Sequence, residues 1–216
     1  MLEKMNDFFN NRVCGYEEHQ LNAIDFAKEF YPFTASCLPT KEGAKVLDLG
    51  CGTGLELGYY FVLNPTASIA GIDIAEDMLK ILKDKFRDKA LTVIQGSYFE
   101  IPFGMDYYDA VVSVESLHHF TKDEKIPLYT KVFQTLKSNG YFILTDYFAR
   151  SEEEESFFSQ ELLRLKTEQG INNHEFYHYD TPLTTEHEIQ ALHEAGFPSV
   201  KIIKKWGATY TIKATK

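Results

Sequence analysis

Three glycines at alternate positions, Gly50, Gly52 and Gly54, follow Asp48, and a second acid, Asp73, comes about twenty residues after the last of them. Glycine accepts a positive φ and lets a ligand approach the backbone with no Cβ in the way. At the carboxyl end of a parallel strand such a turn is where open α/β sheets bind nucleotides, and an acid ending the next strand can hold ribose hydroxyls. The spacing G-x-G-x-G differs from the G-x-G-x-x-G of dinucleotide folds. An ordinary tight turn with two incidental aspartates is the plain alternative; the coincidence of strand, turn, helix, second strand and terminal acid weighs against it. Farther along, Ser113-Val-Glu-Ser-Leu-His-His119 offers Glu115, His118 and His119 for proton transfer, since imidazole titrates near pH 6.5. A histidine that opens a helix is also commonly a cap or a packed ring.

These groups need a scaffold. From residue 45 onward apolar runs alternate with helical patterns, the signature of a doubly wound parallel sheet. The reading places strands at 45–49, 69–73, 91–95, 108–114 and 141–147, with helices at 54–63, 76–86 and 122–136. Two more strands, 199–204 and 208–214, joined at Gly207, predict a hairpin or bulged turn. The expected fold class is α/β: a doubly wound, mostly parallel seven-stranded sheet with helices on both faces, Rossmann-like, with an antiparallel last strand. Residues 1–216 are expected to form a single domain. Residues 1–40 read as a helical lid or cover whose stripe of Leu21, Ile24, Phe26, Ala27, Phe30 and Tyr31 is kinked or ended by Pro32. Residues 150–183 read as a helix and loop capping the pocket. The acidic run that opens this cap, Ser151 to Glu155, fits a capping box between Ser151 and Glu154 rather than a metal site.

Composition narrows the classes. Hydrophobic residues at 44% and charged ones at 25% suit a globular enzyme, and 14% aromatics are enough to line an apolar pocket. A net charge of −10 argues against a broad phosphate-binding surface, so nucleic acid is not an expected partner. Lys201, Lys204, Lys205, Lys213 and Lys216 read as lysines guarding sheet edges. Cys14, Cys37 and Cys51 form neither a C-x-x-C pair nor an even disulfide framework. No run of about 18 apolar residues occurs and the start lacks a basic-then-apolar leader, so a cytoplasmic protein without a membrane span is expected. His174-Glu-Phe-Tyr-His178 matches the spacing of H-E-x-x-H, which binds zinc only on a helix. Following Gly170, Asn172 and Asn173 it reads as loop, and no metal is expected there or with Asp180 and His187.

The string Asp48-Leu-Gly-Cys-Gly-Thr-Gly54, followed by Gly71-Ile-Asp-Ile74, resembles the class I S-adenosylmethionine-dependent methyltransferases. The layout of a helix, Ala195-Gly-Phe197, a strand, a turn and a strand is similar to theirs, and Ser116-Leu-His-His-Phe120 resembles their small-molecule members. The resemblance implies S-adenosyl-L-methionine as cofactor, S-adenosyl-L-homocysteine as product and a small-molecule methyl acceptor; a homodimer stays open. It implies that Asp48, Gly50, Cys51, Gly52 and Gly54 surround the methionine end, that Asp73 takes the ribose, and that Ile74 and Met78 flank the adenine. Ser97 and Tyr98 would meet the adenine edge, although the family usually has an acid where Ser97 stands. Val114 would face the cofactor, Tyr16 and Arg12 would belong to the lid, and Glu115, His118 and His119 are the catalytic candidates. Two other readings stay open. One is a non-catalytic adenosyl-cofactor-binding or accessory protein. The other is a carboxy-S-adenosylmethionine-type tRNA-modification enzyme, suggested by Gly15-Tyr16 and Ala195-Gly-Phe197. That enzyme would need an arginine in the helix at 185–195 to compensate a buried carboxylate, and Ala191 falls near its place. A nicotinamide dehydrogenase is disfavoured by the glycine spacing.

Overall fold

The N-terminal segment folds as three short helices, α1 (Met5–Asn11), α2 (Tyr16–Ala23) and α3 (Ala27–Ser36), in a computed structural model that describes residues 1–171 and 175–216. Gly15 and Phe26, with φ of +79° and +63°, separate them. Pro32 does not break the chain as the sequence suggested: it sits inside α3, which continues to Ser36. A proline costs a helix one hydrogen bond and crowds the preceding turn. Here Phe30, Tyr31 and Ala35 are buried in the core beneath α3, and that packing outweighs the local cost.

The alternation expected after residue 45 is present: β1 (Lys45–Leu49), α4 (Leu55–Leu63), β2 (Ser68–Asp73), α5 (Glu76–Lys85), β3 (Ala90–Gln95), β4 (Tyr108–Val114), α6 (Lys122–Thr135) and β5 (Leu136–Tyr147). There follow α7 (Glu152–Glu168), α8 (Thr185–Glu194), β6 (Ser199–Trp206) and β7 (Thr209–Thr215). The seven strands form one sheet in the order β3-β2-β1-β4-β5-β7-β6, with β7 antiparallel to both neighbours and the other pairings parallel. β5 starts earlier than expected, at Leu136. Ser138, Asn139 and Gly140 bulge within the strand rather than preceding it, since Leu136 pairs with Tyr108 while Tyr141 already pairs with Ala110.

Strand residues alternate between two cores. Val46, Ala110, Val112 and Val114 face one, under α3, α4 and α5, while Leu47, Leu49 and Val111 face the other, under α6 and α8. In the second core Lys125 of α6 donates to Glu188 of α8 at 2.6 Å, both side chains almost wholly buried, and the Tyr129 hydroxyl donates to the same carboxylate. Ala191 is packed in this core as well.

At the start of α7 half of the expected capping box forms, with the Glu154 carboxylate turned to Arg150 instead of the Ser151 N–H. Ser151 accepts from Glu154 N–H (3.3 Å), and the Glu154 carboxylate accepts from Arg150 N–H (2.6 Å). The chain start then pairs with the cap: Met5 N–H donates to Phe176 O, and His178 N–H to Glu3 O, each at 3.0 Å. Lysines 201, 204 and 205 lie exposed on the edge strand β6. Among the described residues no helix is long and apolar enough to cross a membrane.

The chain runs outward from β1 to β3 and returns to β4 on β1's other side. The carboxyl ends of β1 and β4 therefore meet at the reversal of strand order, where open α/β sheets bind ligands.

Candidate active site

At that reversal the turn after β1 borders a largely apolar cavity that also carries polar side chains, the make-up of small-molecule sites. Its glycines serve different needs. A Cβ on Gly50 would stand 2.1 Å from Ser116 Oγ, so the backbone could not pack there; one on Gly52 would meet nothing within 4 Å, in the cavity that Gly52 lines. Gly52 N–H donates to Asp73 Oδ2 (2.9 Å) and Ala75 N–H to Asp73 Oδ1 (2.8 Å), so the acid ending β2 braces the turn ending β1. Burial raises the Asp73 pKa despite these amides.

Of the residues singled out in the sequence, Tyr16, Gly50, Gly52, Asp73, Ile74, Met78, Ser97, Tyr98, Val114, Glu115 and His119 line this cavity. Three expected neighbours do not. Gly54 is the N-cap of α4, and the Cys51 side chain turns into the core against Gly71 of β2. Asp48 points under the turn to Glu56 of α4; both are buried, and burial raises both pKa values, Asp48's also through the Glu56 charge. Ionising both carboxyls is thus disfavoured, which favours a proton held between them. A carboxyl whose pKa rises on folding adds stability in full below its ordinary value near 4 and loses it as pH climbs through the folded value. Glu56→Gln places a neutral side chain beside Asp48 without needing the proton. Its melting temperature should fall less than the wild type's between about pH 5.5 and about pH 8.5, by at least about 2–4 °C in thermal melts. Parallel curves would show that no proton is shared.

Beyond Glu115 the chain makes a 3-10 turn, Leu117–His119. Asp146, ending β5, takes the N–H groups of Leu117 (2.8 Å) and His118 (3.1 Å) on one oxygen and His118 Nδ1 (2.5 Å) on the other. Burial pushes the His118 pKa down, but Asp146 and then Asp180 outweigh it and hold it up at about 9. Burial, with His118 beside it, takes His119 down to about 4. Glu115 has a left-handed φ of +49° and an Oε1 buried without a hydrogen-bond partner among the described residues; burial, then Asp146, pushes its pKa up to about 8. Strained backbone at a charged pocket residue is a mark of functional sites.

His118 and His119 face a second, open cleft, also bordered by Arg12, Tyr147, Asp180 and Trp206. Phe9, Tyr16, Glu115 and His119 line both spaces. Asp146 was missed in the sequence; its signal was an acid at the carboxyl end of a parallel strand. Asp180 was noticed only as part of a histidine-rich stretch that does not assemble as a zinc motif. His174 lies outside the described residues, Glu175 pairs with Lys4 (2.7 Å), and Tyr177 bridges to Lys4 in extended backbone. His178 stacks on Phe8, and His187 meets Glu155 at 2.8 Å.

A family model for a methyltransferase domain matches residues 46–140. The chain is 28% identical to the fatty-acid O-methyltransferase of Mycolicibacterium smegmatis, over 72% of this chain and 56% of that relative. It is 30% identical to the tRNA (carboxymethyluridine(34)-5-O)-methyltransferase of Arabidopsis thaliana, over 66% of this chain and 33% of that relative. The chain therefore spans from a third to just over half of the length of these relatives. Human N-acetylserotonin methyltransferase, solved in complex with S-adenosylmethionine, shares the fold with a TM-score of 0.64 at 18% identity, covering 88% of this chain and 52% of that one.

Proposed function

We propose that this chain, which belongs to the class I S-adenosylmethionine-dependent methyltransferases, binds S-adenosylmethionine beneath the glycine turn and methylates a small molecule held in the adjoining cleft. The observation that carries the reading is the shared wall: Tyr16, Glu115 and His119 line both the glycine-turn cavity and the open cleft.

The cavity's chemistry fits the cofactor. Its wall carries two acidic residues, Asp73 and Glu115, and no lysine or arginine among the described residues, so a sulfonium that also bears an ammonium group would draw both toward their ionised forms. Asp73 would hold the ribose hydroxyls with the lone pairs its two amide bonds leave free. Ile74 and Met78 would flank the adenine. Ser97 Oγ already accepts from Phe99 N–H (3.2 Å), which leaves its O–H to donate to a ring nitrogen.

When bound, S-adenosylmethionine supplies an electrophilic methyl group that needs alignment and desolvation more than covalent help. The protein's part is to align, to exclude water and to receive a proton. Phe9 and Tyr16, from the N-terminal helices, cover the junction of the two spaces. Glu115, His118 and His119 border the cleft; His119 is the one left neutral near pH 7 and free to receive an acceptor's proton, Glu115 and His118 serve once they have lost theirs, and Asp146 orients His118. Phe8, Phe9, Tyr147 and Trp206 on the cleft wall suit an acceptor with an apolar or planar body.

Calorimetric titration with S-adenosylmethionine, S-adenosylhomocysteine and NAD tests the reading. Binding of the first two without NAD supports it, and no adenosyl binding overturns it. Transfer of labelled methyl to a panel of small acceptors separates an enzyme from a non-catalytic binder. Asp73→Ala should weaken S-adenosylhomocysteine binding by about 10–100-fold, the scale of hydrogen bonds to a charged group. It should also lower the melting temperature, because the turn loses its brace. Unchanged affinity would move the ribose elsewhere.

A further inference from the structure

We infer that the acceptor cleft holds a site for one divalent transition-metal ion, bound by His118 Nε2, His119 Nδ1 and Asp180 Oδ1. This departs from the sequence reading, which assigned no metal. It rests on the proposed acceptor cleft for its use, whereas ion binding itself does not depend on that reading.

Asp180 Oδ1 lies 3.0 Å from His119 Nδ1 and 3.6 Å from His118 Nε2. The shorter approach is misaligned for a hydrogen bond. His119 Nδ1 and Asp180 Oδ1 are both buried atoms without a partner among the described residues. His119 itself is 7% exposed. Such orphans are costly and call for a third party between them.

Two imidazole nitrogens and one carboxylate oxygen are the donor set of catalytic zinc and facial-triad iron sites. A tetrahedral ion with bonds of about 2.0–2.2 Å keeps its ligand atoms about 3.3–3.6 Å apart. The two separations to Asp180 lie at or near that spacing before any ion draws the ligands in. His118 Nδ1 is taken by Asp146 at 2.5 Å, which leaves Nε2 to present its lone pair. A carboxylate behind a ligating histidine is how such rings are oriented. Asp180 is held in place as well, because the next residue, Thr181, donates its N–H to the His118 carbonyl at 2.7 Å.

Two imidazoles favour zinc, iron(II), cobalt(II) or manganese(II) over magnesium or calcium, which prefer oxygen alone. Three protein ligands leave a coordination position on the cleft side, bordered by Glu115 and Tyr147. An acceptor oxygen bound there would be acidified. With both histidines engaged, Glu115 is the group left to take its proton.

The test uses the full chain, freed of metal by chelation and titrated with cobalt(II) by visible absorption and with zinc(II) by calorimetry. One equivalent should bind, with cobalt shifting the ring protons of two of the seven histidines in NMR spectra. His119→Ala and Asp180→Asn should each weaken binding by at least about tenfold, while His193→Ala, whose ring bonds the Phe197 carbonyl, should not change it. The wild-type histidine count decides the matter if either variant fails to fold. Binding that survives both variants, or that shifts other histidines, overturns the site. So does a protein that binds S-adenosylhomocysteine but no ion, where His118 is simply a cation between Asp146 and Asp180; that outcome leaves the methyltransferase reading intact.

Discussion

Gly52→Val is expected to abolish binding of S-adenosylmethionine and S-adenosylhomocysteine, with a loss of at least about 100-fold, or about 2.7 kcal/mol, in a chain that still folds. The new side chain would meet no protein atom within 4 Å of its Cβ, so the volume it takes is cavity volume. The backbone at φ +47° disfavours a β-branched residue, at a cost of about 1–3 kcal/mol, which a domain stable by about 5–15 kcal/mol can bear. Gly50 would be a poor site for the same experiment, because a Cβ there would collide with Ser116 at 2.1 Å and confuse misfolding with lost binding. Calorimetry on Gly52→Val, with a thermal melt to establish folding, checks the expectation. A folded variant that still binds would show that the turn does not touch the ligand.

The largest effect on stability should come from Lys125→Met. It strands the Glu188 carboxylate in the core with only Tyr129 for company, and breaking a buried ion pair from one side costs about 3–5 kcal/mol. Lys125→Met with Glu188→Gln should recover more than half of the loss, since Gln can still accept from Tyr129 and carries no charge. Urea unfolding of the three proteins measures this directly. A single variant within about 1 kcal/mol of wild type would mean that water or a rearranged side chain reaches Glu188. The exposed Lys80–Glu76 pair on α5 should contribute little by comparison.

What could be read from the chain was local. A glycine turn, a strand that ends in an acid and a capping serine write their demands into neighbouring residues, so Gly50 to Gly54, Asp73 and Ser151 were legible. Features that depend on register or on distant partners were not. The side of β1 on which Asp48 emerges, and its meeting with Glu56, follow from packing of α4 that no short motif records. Asp146 reaches His118 across 28 residues, and Asp180 arrives on a loop held by backbone hydrogen bonds to distant segments, Glu3 and His118 among them. Pro32 misled because tertiary burial overrode a local rule. The spacing of His174 and His178 was read as loop rather than helix; His174 lies outside the described residues, and Tyr177 is bridged in extended backbone to Lys4. The glycine-turn cavity was thus visible in sequence, while the adjoining cleft is assembled by topology.

The placement of β7 between β5 and β6 has a consequence for synthesis. β6 is translated before β7, yet only β7 joins it to the sheet. Until Thr209–Thr215 has joined β5, the segment Ser199–Trp206 is a strand without a partner, carrying Ile202 and Ile203. Lys201, Lys204 and Lys205 lie on that same strand, and their like charges oppose pairing between neighbouring nascent copies on one message. The order of assembly on this side, β5 then β7 then β6, therefore runs against the order of translation, and the lysines guard the interval between them.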